Sequence, residues 1–220
     1  MDGSGAFTHV EWMRPFSVFQ ENTMSDSTTG MKSSLEEVLR YRNDAVVHKF
    51  IKTWELSFEE AQDLFRETLK WLWLSAYSLT HRTEVRPLAI SQSLMLLDEM
   101  WHTFILFTRD YHEFCERYFG LYIHHRPTSK EEEEARLADY ERAPAQYVAQ
   151  QKARFRAQYA LIYDVLGEET LNKWYSTYLE QYSDLVMRRI WRWSFSPDGT
   201  RVRNQPPRGS ADLFYFQLAP

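Results

Sequence analysis

The stretch Ser57-Phe-Glu-Glu-Ala-Gln-Asp-Leu-Phe-Arg-Glu-Thr-Leu-Lys-Trp-Leu-Trp-Leu-Ser-Ala76 decides the fold class. Ser57 and Glu60 stand at capping-box spacing, and Phe58, Ala61, Phe65, Leu69, Leu72 and Ala76 then recur at steps of three and four, the period of one helical face. Trp71, Trp73 and Leu74 widen the apolar surface, so the second half of this helix should be buried on several sides. The same kind of signal repeats on either side. Ser34 with Glu37, and Asn43-Asp44 ahead of Val46, Val47, Phe50, Ile51 and Trp54, open two earlier helices or one bent one. Residues 78–90 are polar and irregular and read as a loop. Leu94, Leu97, Trp101 and Ile105 define the next apolar face. Thr108 is the expected N-cap of a helix turning Tyr111, Phe114, Cys115 and Tyr118 inward, and Gly120 stops it.

Further on, Ser129 and the glutamates at 131–134 read as the solvated first turn of a helix, favoured by its dipole. Its period continues through Leu137, Tyr140, Tyr147, Phe155, Tyr159 and Ile162, with Pro144 as a kink or break and Gly167 as the end. A last helix from about Glu168 should turn Leu171, Tyr175, Tyr178, Tyr182 and Leu185 inward. Residues 191–195, a Ser196-Pro-Asp-Gly199 turn and residues 200–203 suggest a small hairpin. The expected architecture is mainly α, an irregular multi-helix bundle with a short C-terminal β-hairpin. Residues 1–33 are expected to be a flexible leader, 34–195 the helical domain and 196–220 the hairpin and arm.

Composition sets outer limits. The 220 residues carry 8 Trp, 13 Tyr and 14 Phe, too many rings for a disordered chain, and only 7 Gly and 8 Pro, too few for a collagen-like one. A net charge of −5 argues against general nucleic-acid binding, which needs a basic surface. The single cysteine, Cys115, excludes an internal disulfide and fits a reducing, cytoplasmic setting. No apolar run is long enough for a membrane span. Neither a Gly-x-Gly-x-x-Gly nor a P-loop is present, so no nucleotide cofactor is expected, and the serine-hydrolase elbow is missing too.

Asp98 and His102 are four apart and fall on the core-facing stripe with Leu94, Leu97, Trp101 and Ile105. Burying a carboxylate and an imidazole is costly unless they are paired or bind a cation. Two readings stay open: a structural clasp, or two ligands of one metal. His112, Cys115, His124 and His125 follow closely, so that Asp98, His102, Cys115 and His124 are expected to converge, with His112 and His125 behind them or in their place. A Cys115–His124 nucleophile pair is the weaker alternative, because a thiol on an apolar face has a raised pKa.

The run Leu97-Asp-Glu-Met-Trp-His-Thr-Phe-Ile-Leu-Phe-Thr-Arg-Asp-Tyr-His-Glu-Phe-Cys115, with Gly120 and Ile123-His-His-Arg-Pro127, resembles the glycine-rich domain-containing protein-like family, in small bacterial members with an Asp-x-x-Trp-His, Tyr-x-x-Phe-Cys and His-His-x-Pro pattern. The resemblance spans about residues 43–127. This chain lacks the glycine-rich extension, and has Phe104 where plant members often have a second histidine. What the resemblance implies is a helical domain and added weight on the Asp98–His102 site.

From these readings follow two expectations of function. The first is a metal-dependent enzyme, a non-haem iron oxygenase or other tailoring activity, holding Fe(II) or Zn with Asp98, His102 and His124 and acting on a small molecule or peptide. The second is a non-catalytic interaction module locked by a polar or zinc cluster. The tail arginines Arg188, Arg189, Arg192, Arg201, Arg203 and Arg208 flank Trp191 and Trp193, a combination that suits a protein partner or single-stranded nucleic acid, although a solvated surface is the better reading. The arm, residues 191–220, is expected to close over the domain; near His102 and His124 it would serve as a lid, and away from them as a protein or peptide interface.

Overall fold

The computed structural model describes residues 31–195 and 201–203, with side chains to residue 192. At its centre lies α3, Phe58–Thr80. The Ser57 hydroxyl accepts from the Glu60 N–H at 3.1 Å and the Glu60 carboxylate accepts from the Ser57 N–H at 2.8 Å, so both orphan donors are satisfied. Ala61, Leu64, Phe65, Leu69, Trp71, Leu72, Leu74 and Ala76 are all buried, so α3 is covered on several sides, as its second-half tryptophans suggest. Each large apolar side chain buried this way stabilises the fold by about 1.5–3 kcal/mol before chain entropy is counted.

Around α3 pack α1 (Leu35–Val38), α2 (Asp44–Ile51), α4 (Met95–Ile105) and, through its C-terminal half, α7 (Pro144–Leu166). Ser34 caps α1 with a second capping box, and the Asn43 side chain caps α2 by accepting from the Val46 N–H. The 3-10 turn Gln92–Leu94 leads into α4, and α5 (Thr108–Tyr118) returns against it. Phe104 is fully buried and meets Phe65, Tyr111 and Phe114 edge to face, which ties α3, α4 and α5 through aromatic contacts. Thr108 is the first residue of α5 and not its cap; Phe107 holds the cap position without a side-chain hydrogen bond.

Helix α6 (Lys130–Arg142) begins with a third capping box, Ser129 with Glu132, and buries nothing. Pro144 breaks the chain between α6 and α7 by occupying the first turn of α7, where its missing N–H costs nothing. Leu137, counted in the apolar period, is 54% exposed, because the less exposed positions of α6 are Glu132, Arg136 and Tyr140, the last packed on Tyr147 of α7. Gln158 of α7 is fully buried; its side-chain amide accepts from the Ala89 N–H at 2.7 Å and donates to the Ala89 carbonyl at 2.8 Å.

Gly167, at φ +87°, ends α7. The chain continues as α8 (Glu168–Asn172), a π-helical turn (Lys173–Thr177) and α9 (Tyr178–Gln181). There Trp174 donates its indole N–H to the buried Glu67 carboxylate at 2.8 Å, and Lys70 and Lys173 reach the other oxygen at 2.9 and 3.1 Å. Helix α10 (Asp184–Ile190) is a separate element: Tyr182, at φ −120° and ψ 44°, breaks the helical phase. Leu185, expected inward on one continuous helix, is consequently 52% exposed.

The described fold is thus mainly helical. Its only extended pairing among the described residues is slight: Trp193–Phe195 against Arg201–Arg203, antiparallel, plus an isolated bridge from Trp54 to Trp191. The Ser196–Gly199 turn that would make a hairpin of the first pair lies outside the described residues, as do the leader up to residue 30 and residues 204–220 of the arm expected to close over the domain. Among the described residues no helix is long and apolar enough to cross a membrane.

Candidate metal centre

Helix α4 places Asp98 and His102 one turn apart, and they differ sharply in surroundings: Asp98 is 1% exposed, whereas the His102 side chain is 42% exposed. The third member comes from beyond α5. Gly120, at φ +72°, takes the left-handed conformation that lets the chain leave that helix, and residues 121–128 then run without regular structure. Ile123 is fully buried, His124 is exposed and the His125 side chain is 5% exposed. This is the alternation of an extended chain, in which residues two apart face the same way.

His125 Nε2 therefore comes within 2.8 Å of Asp98 Oδ1, while His102 Nε2 lies 3.8 Å from Asp98 Oδ2. The imidazole rings of His102 and His125 are 4.5 Å apart between centroids. One ligand atom from each of the three residues lies within 4.8 Å of the others, and among the described residues no other group of His, Cys, Asp or Glu meets this condition. Donors about 2.1 Å from one shared cation stand roughly 3.0–3.4 Å from one another, so a bound ion would hold the three atoms more closely than the 4.8 Å within which they lie. Asp98 Oδ2 is buried and has no hydrogen-bond partner, the state of an oxygen left for a cation.

On its other edge, His102 Nδ1 lies 3.8 Å from Glu99 Oε1. The neighbouring Glu99 carboxylate, together with the Asp98 charge, pushes the His102 pKa above its ordinary value against the opposing effect of partial burial. Histidine ligands commonly present their second ring nitrogen to a carboxylate in this way. Glu99 was not singled out from the sequence; its spacing of three from His102 on one helix is the signal that could have found it. Behind the site, the Trp101 ring meets His125 edge to face at 4.2 Å, its Nε1–H donates to Tyr111 Oη at 3.0 Å, and Tyr111 Oη–H donates to the Ile123 carbonyl at 2.6 Å.

Two of the residues expected to converge do not join this group. Cys115 is fully buried within the α5 face, where burial pushes its thiol up to about 11, and its sulfur is not among the gathered atoms. His124 faces outward onto Tyr122, 4.7 Å between centroids, and His125 takes the place expected for it. His112 is likewise exposed beside Tyr122 and outside the group.

Residues 43–142, somewhat under half of the chain, match the model of a family described as UCP032817-like. The matched residues include α4, α5 and all three members of the site. This corrects the resemblance read from the Asp-x-x-Trp-His and His-His-x-Pro segments: the matching family is not the glycine-rich domain-containing one. No curated protein and no solved structure matches the chain.

Proposed function

We propose that the protein is a metal-dependent enzyme whose centre binds one divalent cation through Asp98, His102 and His125. The observation that carries this reading is the buried, unpartnered Asp98 Oδ2 set against two imidazoles. A carboxylate and two imidazoles suit Fe(II) or Zn(II), and a set of three ligands leaves coordination positions for substrate. Bound there, Fe(II) would supply non-haem oxidative chemistry on a small molecule or peptide. The partly exposed edge of His102 is the side from which such a molecule reaches the centre, while Asp98 and His125 form the buried wall.

The non-catalytic module is favoured by one observation of its own. The 2.8 Å contact between His125 and Asp98 already joins the 121–128 segment to α4 without an ion. Elemental analysis of protein purified without added metal, followed by cobalt titration of the stripped protein, tests the centre, and a closed zinc site with no open coordination position would favour the module. Near-stoichiometric iron or zinc, and a Co(II) spectrum lost in Asp98→Ala, support the metal centre. A fully folded protein that carries no metal and takes up no cobalt overturns it.

A further inference from the structure

Trp101 stands between the two α4 ligands in sequence and is almost wholly buried. It makes two contacts with the segment carrying the third ligand. One is direct, the edge-to-face contact of its ring with His125. The other runs through Tyr111 of α5, fully buried, which accepts from the Trp101 indole and donates to the Ile123 carbonyl. Ile123 is two residues before His125, and in an extended chain the side-chain direction at one position sets that two positions on. A rotation at Ile123 would carry His125 away from Asp98.

We infer that Tyr111 is a positioning residue of the metal centre, its hydroxyl fastening the Ile123 backbone to Trp101 so that His125 faces Asp98 before a cation arrives. The inference rests on the reading of Asp98, His102 and His125 as ligands. Its physical basis is preorganisation: ligands held in place by buried hydrogen bonds bind without first having to be ordered. Tyr111→Phe is a suitable probe, since the ring would keep its packing on Phe104 and Tyr122 and lose only the hydroxyl.

The test is cobalt titration of the stripped full chain, read by its ligand-field absorption. Tyr111→Phe is expected to weaken Co(II) binding by about 10–100-fold and to alter the spectrum. Tyr118→Phe, the same change further along α5, is expected to leave both as in the wild type. In a His125→Ala background Tyr111→Phe should cost no further affinity, because the hydroxyl acts through His125. Should Tyr111→Phe fold poorly, Trp101→Phe breaks the same chain at its indole N–H and is expected to weaken binding likewise. If wild-type affinity persists in the tyrosine variant while Asp98→Ala has lost it, or if the loss is the same without His125, Tyr111 has no positioning role and the centre itself stands. A wild-type protein that binds no cobalt removes the centre and this inference together.

Discussion

His125 Nε2 lies 2.8 Å from Asp98 Oδ1 although the two residues are 27 positions apart, and helix α5 lies between them in the chain. Asp98 thereby spends one oxygen on the far segment and holds the other, Oδ2, toward His102 at 3.8 Å. A single buried carboxylate is shared between two histidines of unequal exposure.

Zinc added to the stripped protein should therefore raise its thermal stability. At about one hundred times the dissociation constant the gain is about 2.7 kcal/mol, roughly 5–10 °C for a chain of this size. Differential scanning fluorimetry with and without zinc measures it, and a chelator should reverse it. Asp98→Asn keeps an oxygen for His125 but removes the charge, and the shift should nearly vanish in that variant.

Cys115 should resist thiol reagents in the folded protein at pH 8 and react fully once the protein is unfolded in guanidinium. Its folded pKa is raised from 9.0 to about 11, so the neutral thiol is the form the fold favours. That contribution is fully present below pH 9 and is lost as pH rises from 9 towards 11. The linkage amounts to about 2–3 kcal/mol. Urea unfolding followed across that range should show a shallower decline for Cys115→Ala than for the wild type. Tyr111, Tyr175, Tyr178 and Tyr182 are also raised by burial from an ordinary value of 10.0, Tyr182 to about 12, so from pH 10 upward they steepen the decline of both proteins, and the Cys115 difference is read most cleanly between pH 9 and 10.

Glu67→Ala should destabilise the fold by about 3–5 kcal/mol in chemical denaturation. The change strands the Trp174 indole N–H and leaves Lys70 and Lys173 without their shared oxygen. Glu36→Ala, which removes an exposed partner of Arg40, should shift stability by less than about 1 kcal/mol.

How much of this was legible in the sequence depended on whether one helix or two segments had to be read together. Helix α3 announces itself because its cap and its apolar steps lie within one run. Asp98 and His102 stand out because their spacing of four puts two ionisable groups on a stripe that is otherwise apolar. The choice between His124 and His125 depends on a register that no helical period supplies. Once Ile123 is known to point inward, alternation selects His125, yet the sequence alone does not say that residues 121–125 are extended. Leu185 misleads for a similar reason, since the helical step is sound up to Tyr182 and the break there resets it. Cys115 falls on an inner face, as its helical step says, and lies outside the group around Asp98.

One feature of the fold offers an experimental readout of its own. The backbone N–H and carbonyl of Ala89 are both engaged by the Gln158 side chain, which stands in for a neighbouring strand in a segment that has none. The Ala89 amide can exchange with solvent only when Gln158 withdraws, and Gln158 is carried by α7. Hydrogen exchange at this one loop position thus records how often the Gln158 side chain of α7 lets go of the loop, a motion that the amides inside α7, bonded to their own helix, would not register.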